Sequence, residues 1–200
     1  MESLSQWIQS RRNAVFIYVF LSLILTYPVL LHPIDTVVGH EQASVACHVW
    51  VIWWAQQSFQ LHTPLIFFPY GADVVQLYGS DLVSPLLFAW MPFPPSLLYN
   101  IWVHCLLVVG AMGLRQVLLF LKTTHWQALA GGWCWMCAPF LQHEMLNGTS
   151  ELLSTGLLTW FTWLMLSIWD HPTTRHGLWI GIVSGLLLLS SAYNPVFIVL

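Results

Sequence analysis

Three carboxylates stand where loops meet apolar runs: Glu41, directly after Gly39 and His40; Asp81, after Ser80; and Glu151, after Asn147-Gly148-Thr149-Ser150. An acid held against hydrocarbon loses solvation and becomes a better base, so Glu41 is suited to draw the proton from a hydroxyl acceptor. Each position also has a plainer use. Glu41 reads as a loop carboxylate in water, or as a first-turn acid favoured by the dipole of the helix that follows. Asp81 fits a helix N-cap, and Glu151 fits the first turn of a helix capped by Thr149 or Ser150. The three gain interest as a set if they share one membrane face, where a divalent cation (magnesium or manganese) or a phosphate-bound metal could gather them through oxygen ligands. Glu41 and Asp81 are then the candidate metal ligands.

Other polar residues are weaker candidates. His40 and His143 lie on the same side as Glu41 and can hydrogen-bond a substrate, although a lone histidine is more often a satisfied polar group. His104 falls inside an apolar run, where polar groups line bundle interiors, and no second histidine at the same depth pairs with it to hold haem. Cys134 and Cys137 form a C-x-x-C with no second pair, and with Cys47 and Cys105 they make no disulfide framework. Asn147-Gly148-Thr149 is a glycosylation sequon, a pattern that chance also produces.

The elements that must position these residues are membrane helices. The chain is 58% hydrophobic and 6% charged, with mean hydropathy +0.70, against roughly 25% charged residues in soluble domains. Its net charge of -3 with no basic patch excludes the electrostatic footprint of nucleic-acid binding. A crossing of about 30 Å needs roughly 20 apolar residues, and such runs fall at 14–31, 97–121, 126–141, 152–169 and 178–200. The cations are Arg11, Arg12, Arg115, Lys122 and Arg175, so none lies between Arg12 and Arg115. With the amino terminus cytoplasmic, alternating crossings put every cation inside, as retention of positive charge demands. Asp35, Glu41, Asp73, Asp81, Glu144 and Glu151 then fall outside. The expectation is a single all-α module in the cytoplasmic membrane, a multi-pass bundle of about five transmembrane helices with an outer loop at 32–96. The last run is still apolar at Leu200, which predicts a missing carboxy-terminal region, a partner subunit or a truncated product.

The outer loop is too long for a simple connector. Trp50, Trp53 and Trp54 share one face of a predicted helix over Ser44 to Gln60, and Gln56, Gln57 and Gln60 supply a polar side. A second helix is predicted from Leu82 to Trp90, closed by Pro92, Pro94 and Pro95. Tryptophan favours the headgroup region, so both read as interfacial helices roofing the spans. Between them, Phe67-Phe68-Pro69-Tyr70-Gly71-Ala72-Asp73 has turn chemistry.

The order of Thr26-Tyr27-Pro28, Gly39-His40-Glu41 with a tryptophan-rich helix, Phe68-Pro69-Tyr70-Gly71, Ser80-Asp81-Leu82 and Asn147-Gly148-Thr149-Ser150-Glu151-Leu152-Leu153 resembles bacterial multi-spanning glycosyltransferases of the GT-C superfamily. The resemblance covers most of the chain and rests on order and spacing. It implies transfer of a sugar from a polyprenyl-phosphate donor to an acceptor at the extracytoplasmic face. It also implies that Glu41 is catalytic and that Asp81 and Glu151 lie near the donor phosphate or a metal; His40, His143 and Tyr70 complete the substrate-binding candidates. The family often carries two acids in the first loop, where His40 stands beside Glu41 here. A non-catalytic membrane subunit or remnant of the same fold is the alternative; a transporter would call for broken or charged mid-membrane helices and repeat symmetry.

Overall fold

Pro94 and Pro95 begin a 26-residue helix, Pro95–Phe120, whose length of about 39 Å at 1.5 Å per residue makes it the axis of the fold. Proline suits the first helical turn because its missing N–H has no partner there to lose. The computed structural model describes residues 10–40, 44–58, 60, 62–65, 70–73, 82–149, 153–170 and 172–190. Among them the helices are α1 (Arg11–Leu25), α2 (Tyr27–Leu31), α3 (Val45–Gln57), α4 (Val83–Phe88), α5 (Pro95–Phe120), α6 (His125–Met136), α7 (Pro139–Asn147), α8 (Gly156–Asp170) and α9 (Thr174–Ser190). A two-stranded antiparallel ribbon, β1 (His62–Thr63) and β2 (Ala72–Asp73), lies between α3 and α4. The fold is therefore all-α, with helices α1, α3, α6 and α8 packed on α5 and α9 packed on α8.

Among the described residues, α5 is the one helix long and apolar enough, by length and composition, to cross a membrane. Two of the other apolar runs are divided by proline. The run at 14–31 breaks at Thr26, whose hydroxyl bonds back to the Ser22 carbonyl at 3.1 Å; Pro28, in the first turn of α2, has no N–H with which to continue α1. The run at 126–141 is not one helix but α6 and α7, because Ala138 takes the extended conformation (ψ 131°) that a following proline imposes and Pro139 starts afresh. The run at 152–169 becomes α8 from Gly156, and the run at 178–200 starts earlier, at Thr174; 191–200 lie outside the described residues. The α5–α6 turn is short, closed by a capping box in which Gln127 N–H donates to Thr124 Oγ1 and Thr124 N–H donates to Gln127 Oε1.

The inner edge of α1 is Ala14, Tyr18 and Ser22, spaced four apart and fully buried. Tyr18 reaches across to α6, where its hydroxyl donates to the Leu129 carbonyl at 3.0 Å. Gly132 makes the room: a Cβ there would sit 2.2 Å from the Tyr18 oxygen. Arg115, expected at an inner loop, is instead 1% exposed on α5, within electrostatic reach of Tyr18 and Arg11. The opposite face of α1 is apolar and open, with Phe16, Phe20 and Ile24 all more than half exposed.

Helices α5 and α8 cross at glycine. A Cβ on Gly156 would lie 2.8 Å from the Gly110 Cα, so only hydrogen allows this approach. The contact lets α8 bond to α5 backbone: Trp160 Nε1–H donates to the Val109 carbonyl at 2.8 Å, and Thr159 Oγ1 lies 3.2 Å from the Gly110 carbonyl and 2.7 Å from that of Gly156. Small residues that permit such close backbone contact are a usual basis for helix association in apolar surroundings. Gly156→Ala is expected to destabilise the fold by about 1–3 kcal/mol through overpacking against backbone. Gly181→Ala, on α9 with nothing within 4 Å of its would-be Cβ, is expected to be neutral or slightly stabilising; thermal unfolding in detergent compares the two.

Candidate functional site

Residues 33–40 leave α2 without regular structure, so their backbone groups need partners from elsewhere. Asn100, 2% exposed on the second turn of α5, supplies three. Its Oδ1 accepts from Val38 N–H at 2.9 Å, and its Nδ2 donates to the carbonyls of Pro33 at 2.9 Å and Thr36 at 2.8 Å. Ser96, one turn earlier, donates to the Ile34 carbonyl. The segment that leads to Gly39 and His40 is thus fixed on the start of α5.

From there it docks on the end of α7. His40 N–H donates to the Leu146 carbonyl at 2.7 Å, and Ser44 N–H donates to the Asn147 carbonyl at 3.0 Å. Helix α7 stops at Gly148 in the left-handed conformation (φ 71°), and Thr149 N–H returns to the Glu144 carbonyl at 3.0 Å. Val45 fills the notch so closely that a Cβ on Gly148 would lie 2.2 Å from its Cγ2 and 2.6 Å from its backbone N. Gly39, at φ 128°, has the same neighbour. The two glycines therefore permit the contact twice over, by backbone conformation and by lack of bulk.

Glu41, Asp81 and Glu151 lie outside the described residues. Their described neighbours are in place: His40 and Ser44 flank Glu41, and Thr149 precedes Glu151 by two residues, on the same helix end. Leu82, beside Asp81, is held elsewhere, its N–H donating to the Leu189 carbonyl at the end of α9 at 2.9 Å. Helix α4, which follows Leu82, sets Phe88 edge-on against Trp102 at 6.0 Å. Helix α3 stacks His48 on Tyr99 at 6.2 Å. Tyr99, Asn100 and Trp102 thus receive α3, the 33–40 segment and α4 on adjoining positions of one helix.

The exposed His143 lies on the outward side of α7, with Nε2 2.9 Å from Asn147 Nδ2, so the ring nitrogen accepts and the amide donates. His40 is exposed at the junction itself. Tyr70, 87% exposed, comes just before β2, whose Asp73 lies 3.2 Å from His62. Glu144, not singled out by its sequence context, accepts from the Thr149 hydroxyl and so braces the turn that leads to Glu151. For a divalent cation the described residues supply no ligand set: no three His, Cys, Asp or Glu side chains among them are grouped to hold a metal. The tryptophans of α3 pack on one another, Trp50 on Trp54 at 5.9 Å and Trp53 on Trp54 at 6.3 Å, and Trp54 is buried while Trp53 is 37% exposed.

No family model, curated protein or solved structure matches this chain. The case for a site therefore stands on its geometry and chemistry.

Asn100 was not flagged by sequence reasoning, though a carboxamide in an apolar run is a signal of a buried polar contact. Asn100→Leu keeps the bulk and removes all three bonds. It is expected to cost about 3 kcal/mol, and to speed hydrogen exchange at the Val38 and His40 amides far more than at α8; unchanged protection at both amides would refute the clamp.

Proposed function

We propose that this chain is the membrane module of a GT-C-like glycosyltransferase, crossing the bilayer about five times and transferring a sugar from a polyprenyl-phosphate donor to an acceptor hydroxyl at the extracytoplasmic face. One observation carries the reading: the segments holding Gly39-His40-Glu41 and Asn147-Gly148-Thr149-Ser150-Glu151, remote in sequence, are hydrogen-bonded together through His40, Ser44, Leu146 and Asn147. Each of the two joined segments carries a carboxylate in its sequence, Glu41 and Glu151, and proton abstraction from an acceptor hydroxyl needs one such base.

The membrane placement draws support from the outward faces. Phe16, Phe20 and Ile24 on α1 and Leu178, Ile182 and Leu188 on α9 are large, apolar and exposed, a density of open hydrocarbon that water-facing surfaces rarely carry. Taken as pairs, α1 with α2 and α6 with α7 each reach the length of a crossing, kinked at proline.

In the reaction, the acceptor oxygen forms a bond to the anomeric carbon while its proton passes to the Glu41 carboxylate. The bond from that carbon to the phosphate oxygen breaks, and the electron pair leaves with the polyprenyl phosphate. His40 and His143 are the nearby groups able to donate hydrogen bonds to the departing phosphate or to the sugar. Glu151, on the second of the joined segments, is the proposed substrate-binding group, and Asp81, whose neighbour Leu82 bonds to the end of α9, is assigned that role by the resemblance alone.

Glu41→Gln removes the base while keeping size. Product formation, read as the glycolipid and glycan profile of cells carrying the variant, is expected to fall by about 10²-fold or more at unchanged protein level. An unaltered profile with the protein present excludes Glu41 as the base. Placement is tested separately by single cysteines at 41, 81 and 151 in a cysteine-free background: an impermeant maleimide added outside intact cells is expected to label all three, and protection of all three rules out the shared outer face.

A further inference from the structure

A cavity of about 540 Å³ opens between α1, α5, α8 and α9, reaching α5 at Val109. Two of its lining residues are exposed arginines, Arg11 at the start of α1 and Arg175 in the first turn of α9. Among the described residues no ion pair neutralises either, and Asp170, the acid at the end of α8, does not line the cavity. The buried Arg115 adds a third guanidinium within electrostatic reach of Arg11. His176 also lines the cavity, its backbone N–H 3.2 Å and its Nδ1 3.0 Å from Thr173 Oγ1, which holds the ring in place.

The rest of the wall is apolar and rigid. Trp160 is tied to the Val109 carbonyl and meets Trp163 edge-on at 5.6 Å, and Trp179 joins them from α9. Guanidinium groups favour phosphate because their planar fork offers paired donors. A free inorganic anion would have no use for the indole wall, and a neutral chain would have none for the arginines. One ligand chemistry uses both.

We propose that this cavity holds the phosphate headgroup of an anionic membrane lipid between Arg11 and Arg175, with the lipid's chain lying along Trp160, Trp163 and Trp179. The site rests on the membrane placement argued above and is independent of glycosyl transfer. Its volume is within the range of small-ligand sites. By the retention of cations inside, it faces the cytoplasmic leaflet, whose anionic lipids are the natural supply.

The test uses the full chain purified in detergent and analysed by native mass spectrometry with added phosphatidylglycerol or phosphatidylcholine. One phosphatidylglycerol is expected to stay bound at about tenfold lower lipid concentration than phosphatidylcholine. The double variant Arg11→Gln, Arg175→Gln is expected to abolish that preference, while Arg12→Gln, on the adjacent exposed arginine outside the cavity, retains it. Both substituted arginines are exposed, so folding is not at stake, and an unchanged melting temperature verifies this. Equal retention of the two lipids, or equal loss in Arg12→Gln, overturns the site. Displacement of the lipid by millimolar inorganic phosphate overturns the lipid assignment in favour of a free-anion site. Extraction of the wild-type chain from membranes by alkaline carbonate reports on the membrane placement: release ends that reading, whereas a retained chain with no lipid preference ends the lipid site alone.

Discussion

The arrangement depends on one buried carboxamide. A chain leaving α2 without helical hydrogen bonds carries polar groups that an apolar surrounding cannot satisfy, and each such group left unpaired costs about 1–3 kcal/mol. Asn100 answers three of them from a single side chain on α5. Because α5 is the longest helix and the one on which four others pack, the segment inherits its rigidity. Gly39 and His40 then arrive at the end of α7 with a fixed register, and the bond from His40 N–H to the Leu146 carbonyl follows from that approach.

The second constraint is thinness. Glycine at Gly110, Gly156 and Gly132 brings helices together at distances no side chain would allow. The α5–α8 crossing matters to the site because α8 begins at Gly156, shortly after Glu151. The described cap of α7, held by Thr149 and Glu144, and the crossing at Gly156 stand close together in sequence.

Much of the helical skeleton was legible in the sequence because apolar runs and tryptophan spacing are local signals. Helix α3 emerges near its expected bounds, and α5 runs within two residues of the run at 97–121. The divisions at Thr26 and at Cys137–Ala138 were not read, although Pro28 and Pro139 mark both. Hydropathy averages across a proline that costs a helix only one bond, and the wet or dry side of a run carries no trace of the kink. The contact between residues 40–44 and 146–147 could not be read from one sequence at all, since it is made by backbone groups that every residue type possesses. Arg115 shows the opposite failure. A cation near the far end of the run at 97–121 reads as a charge turned to the inner side, yet Arg115 is buried on α5 within electrostatic reach of Tyr18.

Charge is distributed along α5 in a way that bears on both proposed sites. Asn100 and Arg115 are about 22 Å apart along the helix at 1.5 Å per residue, and the side chains around them differ in kind. Near Asn100 the described polar groups are histidines, amides and backbone, with no lysine or arginine in the segments that converge there. Arg11, within electrostatic reach of Arg115, lines the cavity with Arg175 and the indole rings. A site that must take a proton from a hydroxyl gains from the absence of cations, because a nearby positive charge stabilises the carboxylate and weakens it as a base. A site that must hold a phosphate gains from their presence. Placing the proposed anion site away from the convergence at Asn100 keeps its cations, Arg11 and Arg175, off the segments proposed to carry the base.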